Sequence, residues 1–169
     1  MNTFLLYWNP HFSSYKLEQF CEDFEFEGSA YGNYLDSMFD DDRMPFDFNW
    51  SIIEHEKAHE GDRFYFIRVG YEKPTGLVGV GTFTSEPYPG EDWSGQGRRT
   101  FYMDMEFDAV IDPKSDAILP TAVLQQAVPE IEWTKGKAGT MISQETADKI
   151  QSVWEEHLEK AVFKGRHRE

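Results

Sequence analysis

Apolar and polar positions change their period several times along the chain, and each change marks the edge of an element. Phe4-Leu5-Leu6-Tyr7-Trp8 is an unbroken apolar run ended by Asn9-Pro10, which predicts a buried strand leading into a turn. Leu17, Phe20, Cys21 and Phe24 then recur at i, i+3, i+4 and i+7, the spacing of one helical face, so a helix is expected over 15–24 with Ser13 or Ser14 as its N-cap. Residues 25–48 mix acids, glycines and aromatics with no steady period and read as an acidic insertion. Asn49-Trp50-Ser51 follows, and 52–60 is expected to be a short helix stopped by Gly61.

From Asp62 the pattern turns to strand. Residues 63–69 are rich in strand formers, 70–75 hold turn residues, and 76–84 form a second strand whose Gly76, Gly79 and Gly81 suit a tightly curved wall. These two strands are expected at the centre of the sheet. Residues 86–99 read as a turn-rich loop. Over 100–111, Phe101, Met103, Met105 and Phe107 alternate with Tyr102, Asp104, Glu106 and Asp108, the mark of a strand with one buried face. After Asp112-Pro113 come a short helix over 121–128, stopped by Pro129, and a loop around 133–139. A final helix is expected from a Ser143 cap to about Phe163, burying Ala147, Ile150, Val153, Trp154 and Leu158. It lacks a full capping box, since Thr146 stands where an acid or Gln would be needed. No internal repeat or low-complexity tract is present, and the order of elements is that of an α+β protein.

At 169 residues the chain has the length of one domain, 1–169, and can bury a core without disulfides or metals. Aromatics make up 16% of it, so the low mean hydropathy of -0.62 reflects a charged surface rather than a missing core. Cys21 stands alone, which permits no intramolecular disulfide and fits a reducing compartment. The N-terminus has no basic segment or cleavage site, and no apolar run nears the roughly 18 residues of a membrane span. A cytoplasmic protein without membrane partners is expected. The formal charge of -15 opposes simple electrostatic wrapping of phosphates. The imbalance is local: 18–47 carries ten acids against Arg43, whereas Arg98-Arg99 and the tail with Lys160, Lys164, Arg166, His167 and Arg168 are basic.

Several patterns bear on chemistry. His55-Glu56-Lys57-Ala58-His59 satisfies H-E-x-x-H, which on a helix presents two imidazoles to zinc with the glutamate as general base. Lys57 and the early Gly61 stop argue instead for two half-exposed histidines on a polar helix, so no metal or other cofactor is expected. Cys21 with His11, His55 or His59 would need spatial proximity to be a nucleophile, and a buried thiol is the plainer reading. Asp40-Asp41-Asp42 lacks the spacing of a calcium loop and reads as a solvated acidic segment. The glycines at 76, 79 and 81 precede no helix and lack the G-K-[ST] ending of a phosphate loop. Aromatics beside small polar groups recur in Trp8-Asn9-Pro10, Asn49-Trp50-Ser51 and Ser85-Glu86-Pro87-Tyr88. Such segments supply the ring faces and amide or hydroxyl groups that grip an unstacked base, although Trp8 and Trp50 also fit as ordinary core residues.

The order of these segments resembles the EVE-type branch of the PUA-like superfamily, above all the EVE-like domain found beside HNH nucleases. The resemblance is carried by YWNPHFSSYKLEQF, by NWSIIEHEKAHEGDRFYFIRVG, by TGLVGVGTFTSEPY, and by a Trp loop GEDWSG before YMDMEFDAVIDP, together covering about residues 4–158. It implies a small β-barrel of about five to six strands flanked by short helices and a C-terminal helix. It also implies a pocket for a flipped, modified nucleobase. Carried onto this chain, the pocket residues would be Trp8, Asn9, Asn49, Trp50, Ser51, Ser85 and Tyr88, flanked by Arg68, Trp93, Arg98 and Arg99. No nuclease domain accompanies the resemblance, and the charge is more acidic than a nucleic-acid reader usually carries.

The leading expectation is therefore a non-catalytic module that binds a modified nucleobase in DNA or RNA or as a free nucleoside. A rival of another class is an acidic protein-interaction or nucleic-acid-mimic module that engages a basic partner. A third is a zinc hydrolase using His55, Glu56 and His59. The first two differ in where the acids should lie relative to Trp8 and Trp50.

Overall fold

The computed structural model describes residues 1–26, 34–36, 48–92 and 95–163, with side chains as far as Ala161. Most of the expected insertion, including Asp40-Asp41-Asp42, lies outside the described residues, as do Trp93 and the basic tail from Lys164. The described strands are β1 (Thr3–Trp8), β2 (Tyr34–Asp36), β3 (Phe48–Ser51), β4 (Arg63–Arg68), β5 (Gly76–Phe83), β6 (Tyr88–Glu91), β7 (Arg99–Ile111), β8 (Leu119–Pro120) and β9 (Thr140–Ile142). The helices are α1 (Leu17–Asp23), α2 (Thr121–Ala127) and α3 (Gln144–His157).

All of these strands join one mixed sheet whose main path runs β2-β7-β5-β4-β1-β9, with β4 and β5 in the middle as the sequence pattern predicts. β1 and β4 are parallel, with Thr3 opposite Arg63 and Trp8 opposite Arg68. A parallel pair needs a long crossover, and residues 9–62 supply it. β7 is long enough to carry two partners on each edge. Met105 faces both Phe48 and Phe83, and Tyr102 faces both Ser51 and Tyr88, so β3 and β2 follow each other along one edge and β5 and β6 along the other.

Both faces of the sheet are covered, which is why β4 is buried along nearly its whole length. Phe64 and Phe66 enter an aromatic cluster with Trp8, Phe20, Phe48, Trp50 and Phe107. Tyr65 and Ile67 enter a second cluster with Leu124, Trp133, Ile150 and Trp154 beneath α2 and α3. Gly81 sits at the β5–β7 register shift, where a side chain would run into the Glu106 carbonyl and the Phe64 ring.

Four expectations need correction. The pairing leaves β2 and β9 as the ends of the main path, so the described strands form an open sheet rather than a closed barrel. α1 begins at Leu17 with Lys16 in the capping position, because the Ser13 hydroxyl is already used to accept from the Tyr15 amide. No α-helix forms over 52–60. The Ile52 amide donates to the Phe101 carbonyl, Ile53 to Ala138 and Glu54 to Gly139, which ties the segment to residues remote in sequence and leaves only a 3₁₀ turn over His55–Lys57. Residues 86–99 are not merely a loop, since β6 pairs with β7 as a hairpin arm. Pro89 is tolerated there because a short edge strand can spare an amide.

Elsewhere the pattern holds. Ser143 caps α3 by accepting from the Thr146 amide at 3.2 Å, and Ala147, Ile150 and Trp154 are buried as their spacing predicts. Beyond α3 the chain continues as a π-helical turn over Leu158–Phe163. Among the described residues, no helix is long and apolar enough to cross a membrane.

Candidate functional site

Two cavities flank the loop that follows β1, and Phe12, 73% exposed, lines both. The loop takes its shape from Asn9, whose side-chain oxygen accepts from the His11 amide and whose carbonyl accepts from the Phe12 and Ser13 amides.

The larger cavity has a volume of about 480 Å³. Its aromatic surfaces come from Tyr7, Phe12, Trp50 and Tyr102, and its polar groups from Ser13, Ser51, Asp92 and Thr100. Trp50 is only 5% exposed; it lies parallel to Phe48 with ring centres 6.0 Å apart and meets Phe66 edge to face at 5.0 Å. The ring is thus fixed by the core and offers the cavity a rigid wall. Tyr102 donates its hydroxyl to the Glu91 carbonyl at 2.8 Å, while burial, helped by the Asp92 charge, raises its pKa. Tyr7 donates to the Glu132 carbonyl at 2.7 Å, and burial followed by the Glu132 charge pushes its pKa up to about 12. Both phenols stay neutral at physiological pH. Asp92 is the charged residue of the lining, and it is held in place by its amide, which donates to the Arg98 carbonyl at 2.6 Å.

The smaller cavity, about 120 Å³, lies between Asn9–Phe12 and Arg68–Glu72. Gly70 makes this approach possible. Its φ of +127° is a conformation that L side chains rarely adopt, and a Cβ would stand 3.0 Å from the Asn9 side-chain oxygen.

Of the expected pocket residues, Trp50 and Ser51 line the larger cavity and Asn9 lines the smaller. Trp8 does not reach either. It is fully buried, stacks on Phe20 at 5.0 Å and donates its indole N–H to the Tyr15 carbonyl, so it serves the core. Ser85 and Tyr88 converge elsewhere: the Ser85 hydroxyl accepts from the Asp104 amide, and the Tyr88 hydroxyl donates to the Asp104 carboxylate at 2.6 Å. Asn49 stands opposite Asp104 across the β3–β7 pair, so these residues form a polar surface group beside the cavity rather than its lining.

Among the flanking residues, Arg68 is buried against the smaller cavity, and Arg98 and Arg99 are exposed on the hairpin arm whose Asp92 and Thr100 line the larger one. Tyr7, Phe12, Ser13, Asp92, Thr100 and Tyr102 were not readable as site residues. Tyr102 falls on the polar side of the β7 alternation, and only the hairpin pairing shows that this side faces a cavity.

The zinc reading is not supported by geometry. The H-E-x-x-H arrangement needs both imidazoles on one α-helical face, but His55 lies in the 3₁₀ turn with its ring stacked on Phe101 at 3.7 Å, and His59 lies beyond it. His59 Nδ1 faces the Glu86 carboxylate at 3.1 Å, and Glu86 is held ionised below its usual pKa first by the Glu60 amide and then by His59. Among the described residues, no cluster of His, Cys, Asp and Glu is arranged to hold a metal ion. Cys21 is buried, with its thiol directed to Asp112 Oδ1 at 3.6 Å. Comparison with protein-family models matches none of them, and comparison with curated proteins likewise gives no match.

Proposed function

We propose that the chain is a non-catalytic binding module whose larger cavity receives a planar heterocycle, a modified nucleobase in a nucleic acid or a nucleoside. The observation that carries this reading is the rigid aromatic and hydroxyl lining at Trp50, Tyr102 and Ser51 around a volume of about 480 Å³. That size lies within the usual range for small-molecule sites, and aromatic faces with a few polar groups are what a base requires. The EVE-type resemblance of the sequence supports the same class of ligand. Asp92 adds selectivity, since a carboxylate rewards an edge rich in N–H donors and disfavours an acceptor edge. Arg98 and Arg99 on the adjoining arm are suited to nearby phosphates.

A titration of the purified protein with modified and unmodified nucleosides and short oligonucleotides tests this. One modification should bind selectively, and Phe12→Ala, which removes an exposed ring and spares the core, should weaken it roughly 5- to 100-fold, the range for a base-stacking aromatic. Absence of binding across the panel would defeat the proposal. The net charge of -15 favours a second reading, an acidic module for a basic protein partner. That reading predicts salt-sensitive binding to basic proteins that Phe12→Ala leaves unchanged.

A further inference from the structure

Arg68 is a buried cation whose hydrogen-bonding capacity is incompletely used. It ends β4 and is only 2% exposed. Its Nη1 donates to the Pro113 carbonyl at 2.7 Å, whereas its Nε, although buried, has no hydrogen-bond partner among the described residues. Among the described residues no carboxylate forms an ion pair with it. Glu72 and Asp112 act on it only through space, and burial, which lowers its pKa, is the larger influence. A buried donor left without an acceptor is costly, more so on a charged group, and such a group calls for an explanation. Arg68 also lines the cavity of about 120 Å³, walled otherwise by Asn9, Pro10 and Gly70.

We propose that this smaller cavity is an oxyanion site, in which a phosphate or carboxylate of small size is held by the Arg68 guanidinium. The guanidinium fork suits two oxygens of one anion, and the burial of Arg68 strengthens the contact relative to one in open water. Glu72, exposed at the rim, competes for the same charge and sets the affinity. The shared chemistry has two sources: free inorganic phosphate, or the phosphate of a nucleotide. Phe12 is the residue that the two cavities share in their lining, so a nucleotide bound at both would lie against it. The oxyanion site does not depend on a base occupying the larger cavity.

The test follows the Nε–H resonance of Arg68 in ¹⁵N-labelled protein, assigned by its loss in Arg68→Lys. Inorganic phosphate should shift it saturably while chloride at matched ionic strength does not. Glu72→Gln, a surface change that spares the fold, should tighten the phosphate isotherm roughly two- to fivefold. No shift in either the wild type or Glu72→Gln, or an equal shift with chloride, would overturn the proposal. A nucleoside 5′-monophosphate that moves the same resonance at lower concentration than phosphate identifies the nucleotide as the source. Equal concentrations identify the free anion. A nucleoside that binds the larger cavity without moving this resonance leaves the two sites independent, so failure of either is seen separately.

Discussion

At the residue scale, burial decides which candidate side chains can meet a ligand. Trp8 and Trp50 look alike in sequence, each flanked by an asparagine, but Trp8 is enclosed by Phe20, Tyr15 and Phe66 whereas Trp50 also borders the larger cavity. Close packing likewise fixes Gly81. Gly81→Ala should lower stability by about 1–3 kcal/mol through overpacking against the Glu106 carbonyl and Phe64, measurable by urea unfolding. The tyrosines give a pH signature. Tyr7, Tyr65 and Tyr88 are all pushed up to about 12, chiefly by burial, from an ordinary value of 10.0. The unfolded chain therefore loses these protons first, and stability should fall as pH rises from about 10 towards 12. Tyr65→Phe should flatten that slope, while costing the hydrogen bond to Gln151.

At the element scale, segments governed by their own pattern were legible and segments governed by distant partners were not. The apolar run of β1, the uninterrupted strand formers of β4, the alternation of β7 and the i, i+3, i+4 spacing of α3 are local signals, and the structure follows them. Ser143 is one such signal, and Ser143→Ala should cost about 1 kcal/mol in thermal or urea unfolding by removing the acceptor for the Thr146 amide. By contrast, the helix expected over 52–60 does not form because residues 52–54 are captured by Phe101, Ala138 and Gly139, contacts remote in sequence. β6 hides behind Pro87, Pro89 and Gly90, which read as turn residues until β7 is laid beside them. The candidate site was legible at Trp50 and Ser51 and obscured at Asp92, Thr100 and Tyr102 for the same reason, since the hairpin arm brings them to the cavity.

At the scale of the whole molecule, charge and cavity chemistry pull in different directions. A net charge of -15 disfavours non-specific contact with phosphates, so any recognition must come from a shaped site rather than from overall attraction. The same charge strains the folded state by self-repulsion, and added salt should raise the unfolding temperature, an effect visible in scans between low and physiological ionic strength. Two cavities share Phe12, one lined by aromatics and the Asp92 carboxylate and one small and bordered by the buried Arg68, and under the proposed function these would supply the shaped site that the acidic surface does not.

The most direct test of the base-binding reading is to follow the backbone amides of Ser51, Asp92 and Thr100 in ¹⁵N spectra while modified nucleosides are added one at a time. The account predicts that one of them moves these amides together and saturably, and that Phe12→Ala weakens the response. Amides of the cavity lining that stay still with every nucleoside, while basic peptides shift only surface acids, would contradict it.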